Sequence, residues 1–128
     1  MDTIIKKFVV LFLSIVTTSF LSCTKKLGDW DPIKLSKSEI TFCDDGGTYT
    51  VESLNYKGWW INGIQDMGTE VYYSPDDTDR NMVTGEGISA KTEGNSVIIT
   101  VEPSSDKHDW SVHMEAGDAF AYIRVTQN

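Results

Sequence analysis

Basic side chains, cysteines and histidines are all scarce in this chain. Its 128 residues hold 11 Lys and Arg against 19 Asp and Glu, two His, two Cys and three Pro. A duplex-binding protein needs a basic patch to displace counterions from phosphates, and a net charge of −8 supplies none, so no nucleic-acid partner is expected. His108 and His113 stand five apart with no third ligand beside them, and no metal or other cofactor is expected. Asp76, Asp77 and Asp79 would suit calcium by their oxygens. They lack the glycine and distal glutamate of a calcium loop, so a solvated turn is expected. There is no GxSxG elbow, no Cys–His arrangement and no HExxH motif. Carboxylates abound, but a glycosidase needs two held across a cleft about 5–9.5 Å apart, which a domain of this size rarely offers. A non-enzyme is expected. Segments with helical periodicity, internal repeats and low-complexity tracts are missing too.

One long apolar run is present, from Phe8 to Leu21, behind the basic pair Lys6 and Lys7. It falls short of the about 20 residues a membrane-spanning helix needs and suits the apolar centre of a secretory signal. The run closes on "FLSC", Phe20 to Cys23. This resembles a bacterial lipoprotein signal, with Ser22 as the small residue before a lipid-accepting Cys23. A thiolate is nucleophilic enough to take a diacylglyceryl group as a thioether, and cleavage would leave Cys23 as the new N-terminus. The alternative is an ordinary secretory signal with a cysteine near its end. The expected organisation is a signal peptide over 1–22, a tether over 23–32 and one domain over 33–128.

Loss of the first 22 residues leaves 106, enough for one domain with its own core. It also removes two Lys and one Asp, so the remainder carries 9 basic and 18 acidic residues. Charge therefore cannot hold such a protein to an anionic bilayer, and the lipid must do so. With Cys23 lipidated, Cys43 has no partner for an internal disulfide.

From Ile33 onward, segments of period-two alternation are separated by turn signals every 8–12 residues or so, the pattern of an all-β sandwich of seven to nine strands. "EITFC" turns Ile40 and Phe42 one way, and "TYTVES" returns with Tyr49 and Val51 inward. Between them "DDGG", Asp44 to Gly47, reads as a hairpin turn. "WWINGI", "EVYYS", "ISAK" and "SVIITVE" follow. "WSVHME" sets Trp110, Val112 and Met114 against Ser111, His113 and Glu115. "AFAYIRVTQ" sets Ala121, Ile123 and Val125 against Phe120, Tyr122 and Arg124. The stretch Pro75–Gly87 gives no clear element.

These segments carry a likeness. "KLSKSEITFCDDGGTYTVES", "GWWI" and "VIITVEPSSDKHDWSVHMEAGDAFAYIRVTQN" resemble the opening, the tryptophan-bearing strand and the C-terminal half of a BACON domain, across nearly all of residues 33–128. The resemblance implies a single immunoglobulin-like β-sandwich of the kind found in secreted and surface proteins of Bacteroidetes that handle glycans. It also implies a carbohydrate- or mucin-binding role, or a spacer between an anchor and a catalytic domain. A spacer must join two things, and the sequence stops at Asn128 after its last strand, so a domain acting through its own surface is expected.

Trp59 and Trp60 are adjacent, so in a strand they point to opposite faces. Trp59 shares a face with Ile61 and is expected in the core, with Trp60 outward. Tyr72 and Tyr73 repeat the arrangement one segment later, one of them facing out beside Trp60. An exposed Trp–Tyr pair offers a platform on which the C–H face of a sugar ring stacks. Asn62 and Glu70 would serve its hydroxyls. Trp60, Asn62, Tyr72 and Tyr73 are the candidate ligand contacts. The competing reading is a cross-strand aromatic pair that only stabilises a hairpin or lies beneath the Pro75–Gly87 stretch. The expectation is a non-catalytic lipoprotein of the cell envelope, held to the outer membrane by its lipid. Its partner would be a glycan or, alternatively, another envelope protein. The two lysines of "TKKLGDWD" lean towards the periplasmic face.

Overall fold

Alternating side chains bury one face of each strand, and two such faces must close on each other to leave water. The computed structural model describes residues 31–76 and 78–128. The expected signal peptide, Cys23, Trp30 and Asp77 lie outside them. Nine strands are formed among the described residues: β1 (Glu39–Phe42), β2 (Gly47–Glu52), β3 (Trp60–Asp66), β4 (Tyr72–Tyr73), β5 (Met82–Thr84), β6 (Ile88–Glu93), β7 (Ser96–Val101), β8 (His108–Ala116) and β9 (Ala119–Gln127). They make a five-stranded sheet in the order β1-β9-β8-β3-β4 and a four-stranded sheet in the order β2-β7-β6-β5. No helix occurs among the described residues. The chain is an all-β, two-sheet sandwich.

Between the sheets lie Trp110, Val112 and Met114 of β8, Ala121, Ile123 and Val125 of β9, and Ile61 and Ile64 of β3. Ile88 and Ala90 of β6, with Val97, Ile99 and Val101 of β7, face them from the other sheet. Gln127 is the most deeply buried polar residue, ahead of Ser53 and Thr92. Its Nε2 donates to the carbonyl oxygens of Cys43 (3.2 Å) and Glu102 (3.0 Å), tying the ends of β1, β7 and β9 at one edge of the core.

Three local expectations need correction. The Asp44–Gly47 turn does not close a hairpin. β1 pairs in parallel with β9, and β2 pairs with β7, so the turn carries the chain from one sheet to the other. Gly46 adopts φ 70° there, and a Cβ on it would run into the carbonyl oxygen of Val101. Tyr49 is on the inner side by its pairing with Ile99, yet it remains 41% exposed because β2 is an edge strand. Finally, the stretch Pro75–Gly87 contains β5, which pairs with β6 through Val83↔Ala90. Three residues with one buried side chain carry too little alternation to register as a strand.

Candidate functional site

The outer face of the five-stranded sheet is where β3, β4, β8 and β9 present the side chains that do not enter the core. In an antiparallel sheet, directly opposed residues share a face. His113 of β8 lies opposite Tyr122 of β9 and Gly63 of β3, while Glu115 lies opposite Phe120 and Trp60. Two rows therefore cross the strands near the β8–β9 hairpin. One runs Gly63, His113, Tyr122, and the other Trp60, Glu115, Phe120. Tyr72 of β4 completes the first row. It pairs with Gln65, and its ring reaches over Gly63.

Gly63 makes this possible. A Cβ at that position would stand within 2.5 Å of Tyr72 Cε1 and Oη, so any side chain would occupy the place of the ring. Tyr72 then meets the His113 ring at 5.5 Å between centroids and 61°, and His113 meets Tyr122 at 4.8 Å and 86°. Both are edge-type contacts of the kind aromatic quadrupoles favour. The outer rings stay open: Tyr72 is 45%, Phe120 54% and Tyr122 60% exposed. Tyr72, His113 and Tyr122 thus form a row of touching rings on the outer face, with Phe120 two residues along β9.

A β-bulge decides which β3 residues join it. The register slips between Ile61 and Gly63, so Asn62 is an extra residue on the β3 side of the pairing. Ile61 and Ile64 can consequently both point inward, although strict alternation would separate them. Asn62 is turned outward and donates from Nδ2 to Glu115 Oε1 at 2.8 Å. That bond fixes the carboxylate between Trp60 and Phe120.

The electrostatics follow from this packing. Burial, and secondarily the nearby Tyr122 phenol, raises the Tyr72 pKa above the ordinary tyrosine value of 10.0. Burial lowers the His113 pKa below the usual 6.5, so the imidazole is neutral at neutral pH. Further along the sheet Arg124 donates to both oxygens of Asp109, at 3.3 and 3.0 Å, and approaches Glu39 at 4.0 Å. Its charge is already matched by carboxylates.

Of the four candidate contacts, the fold brings Trp60, Asn62 and Tyr72 to this face and sends Tyr73 to the other. Tyr73 pairs with Ile64, packs on the core and lies against Gly85. Trp59 is in the core at 5% exposure, with its Nε1 donating to Ser96 O. Trp60 is half-buried, and its Nε1 is shut away without a hydrogen-bond partner among the described residues. It sits at the margin of the aromatic surface rather than at its centre. β4 holds only two residues and pairs near the far end of β3, so its tyrosines do not stand opposite Trp60. Glu70 lies in the β3–β4 turn, with φ 62°.

Sequence reasoning missed His113, Glu115, Phe120 and Tyr122 as site residues. A signal was available, because alternation in "AFAYIRVTQ" already turned a phenylalanine and a tyrosine away from the core.

At the opposite end of β8, His108 stacks on Trp110 (4.9 Å, 12°) and its Nε2 lies 3.2 Å from Ser104 Oγ. No carboxylate bonds the other ring nitrogen among the described residues, so the pair lacks the third member that orients a catalytic histidine. A shallow pocket of about 230 Å³ lies where the chain leaves β4, between Asn62, Pro75 and Arg80.

No protein-family model matches the chain, and no curated protein matches it. Among solved structures, the chain is similar to an NMR structure of a protein from Bacteroides thetaiotaomicron. The two share 23% identity with a TM-score of 0.65, over 84% of this chain and 96% of that one. The likeness is one of fold.

Proposed function

We propose that this protein is a lipid-anchored component of a bacterial cell envelope whose BACON-like, immunoglobulin-like domain binds glycan, without catalysis, on the outer face of its five-stranded sheet. One observation carries the reading: Tyr72, Tyr122 and Phe120 stand exposed around His113 and Glu115 on a single sheet face. Burying such rings is favourable at roughly 25 cal/mol per Å² of apolar surface. A sugar's C–H face meets a ring in this way while its hydroxyls reach for Glu115, Asn62 and Gln65.

The anchor rests on the sequence: the basic pair, the apolar run and Cys23. The lipid would hold the protein to the outer membrane and leave the sheet face free. A partner envelope protein is the alternative occupant of the same face, since apolar surface rimmed by polar groups suits either.

Titration of the full chain with soluble polysaccharides, following tryptophan fluorescence, tests the reading. Binding that Tyr122→Ala abolishes supports it. A glycan-blind protein that co-purifies with a stoichiometric partner through Tyr122 assigns the face to protein docking instead.

A further inference from the structure

Resting on the reading of this face as a glycan platform, we infer that its ligand is an uncharged, linear glycan lying across the strands, and that Glu115 turns acidic glycans away. The direction comes from the rows. Tyr72, His113 and Tyr122 follow one another at centroid steps of 5.5 and 4.8 Å, perpendicular to the strands. Three consecutive pyranose rings laid along that line would meet Tyr72, His113 and Tyr122 in turn. The second row lies two residues further along β8 and β9, about 6.8 Å away at ordinary strand rise, and three along the bulged β3. There Phe120 and Glu115 flank the same line.

The charge preference comes from what the rows hold. Across Tyr72, Gly63, His113, Tyr122, Trp60, Asn62, Glu115 and Phe120 there is one carboxylate and no Lys or Arg. Asn62 occupies Glu115 Oε1, which leaves Oε2 to accept from a sugar hydroxyl. A uronate or sulfate placed on the rings would face that carboxylate, while Arg80 lies off the rows in the pocket that Asn62 and Asp76 also line. Arg124, on the same face two residues beyond Tyr122 on β9, is already engaged by Asp109 and Glu39. His113 cannot substitute at neutral pH, since its burial favours the uncharged ring. A neutral polyol pays no such penalty.

Native-gel affinity electrophoresis of the full chain, in gels containing hydroxyethyl cellulose or polygalacturonate at low salt, tests this. The expected result is retardation by the neutral polymer, lost in Tyr122→Ala, with at least about tenfold weaker retardation by polygalacturonate. Glu115→Gln should narrow that gap, and Glu93→Gln, on the other sheet, should leave it unchanged. Equal or stronger retardation by polygalacturonate, still dependent on Tyr122, would overturn the charge preference and leave the platform standing. Retardation by neither polymer would remove the neutral-glycan inference, and if a wider polysaccharide titration were also silent, the platform reading would fall with it.

Discussion

The Tyr72 ring rests on Gly63, in the space where any other residue would place its Cβ. The backbone there is not in the left-handed region, so alanine suits the conformation and only the ring must give way. The obstacle is the far end of a side chain, which can swing outward. Gly63→Ala should therefore lift Tyr72 away from His113 at a cost of about 1–3 kcal/mol. A preserved β-type circular dichroism spectrum, a lowered urea midpoint and several-fold weaker glycan binding are expected together. Binding unchanged in a variant whose Tyr72 has demonstrably moved would remove Tyr72 from the platform.

How far the sequence foretold this arrangement depends on how many residues each element contributes. β8 and β9, nine residues each, alternate without interruption, and their inner and outer faces were readable directly. Trp59 and the start of β3, Trp60 to Asn62, were legible, but not the rest, because the bulge at Asn62 resets the parity. Nothing in "WINGI" announces which residue will be extra. Tyr72 and Tyr73 could not be told apart because two residues show no pattern, and their sides are fixed by pairing with Gln65 and Ile64. The rows themselves join strands far apart in sequence. Only inter-strand register brings His113 beside Tyr122 and Gly63, and single-strand periodicity carries no register.

The two glycine turns make a paired test of the sandwich corner. Gly46 and Gly94 both hold positive φ, 70° and 59°, but a Cβ on Gly94 meets nothing within 4 Å. Gly94→Ala should thus cost only the left-handed penalty, about 1–2 kcal/mol. Gly46→Ala adds a collision with backbone at Val101 and Glu102, which cannot swing aside. Its thermal midpoint should fall clearly below that of Gly94→Ala. Equal midpoints would mean that the corner can relax.

Gln127 clips the two sheets through one amide nitrogen. Replacement by leucine keeps the volume but strips Glu102 O of its side-chain donor and leaves Cys43 O with only the Gly46 N–H. An unsatisfied buried polar group costs about 1–3 kcal/mol, so Gln127→Leu should lower stability by an amount of that order. Part is recovered because Gln127 Oε1 has no partner among the described residues and disappears with the amide. Urea unfolding measures the balance. Hydrogen exchange should show the Cys43–Gly46 corner opening first, and uniform protection would argue that the clip is redundant.

His113 sets a pH dependence whose sign follows from its position. Tyr72 faces it from β4 and Tyr122 from β9, Gly63 lies opposite on β3, and Glu115 is two residues along its own strand. Burial lowers its pKa below the 6.5 of an exposed imidazole, so the unfolded chain binds the proton first as pH falls. Its contribution to stability is therefore complete above about pH 6.5, declines as pH drops through the lowered folded value, and is level below it. Urea midpoints of wild type and His113→Gln, compared from pH 7.5 down to 4.5, isolate this contribution from that of the carboxylates common to both. The wild type should lose more stability than the variant on acidification, and its imidazole resonances should titrate below 6.5. Protonation also puts a cation between the two exposed phenols, so glycan affinity should change over the same interval in the wild type and stay level in His113→Gln. An imidazole midpoint at or above 6.5 would show that the ring is solvated rather than walled in by the two tyrosines.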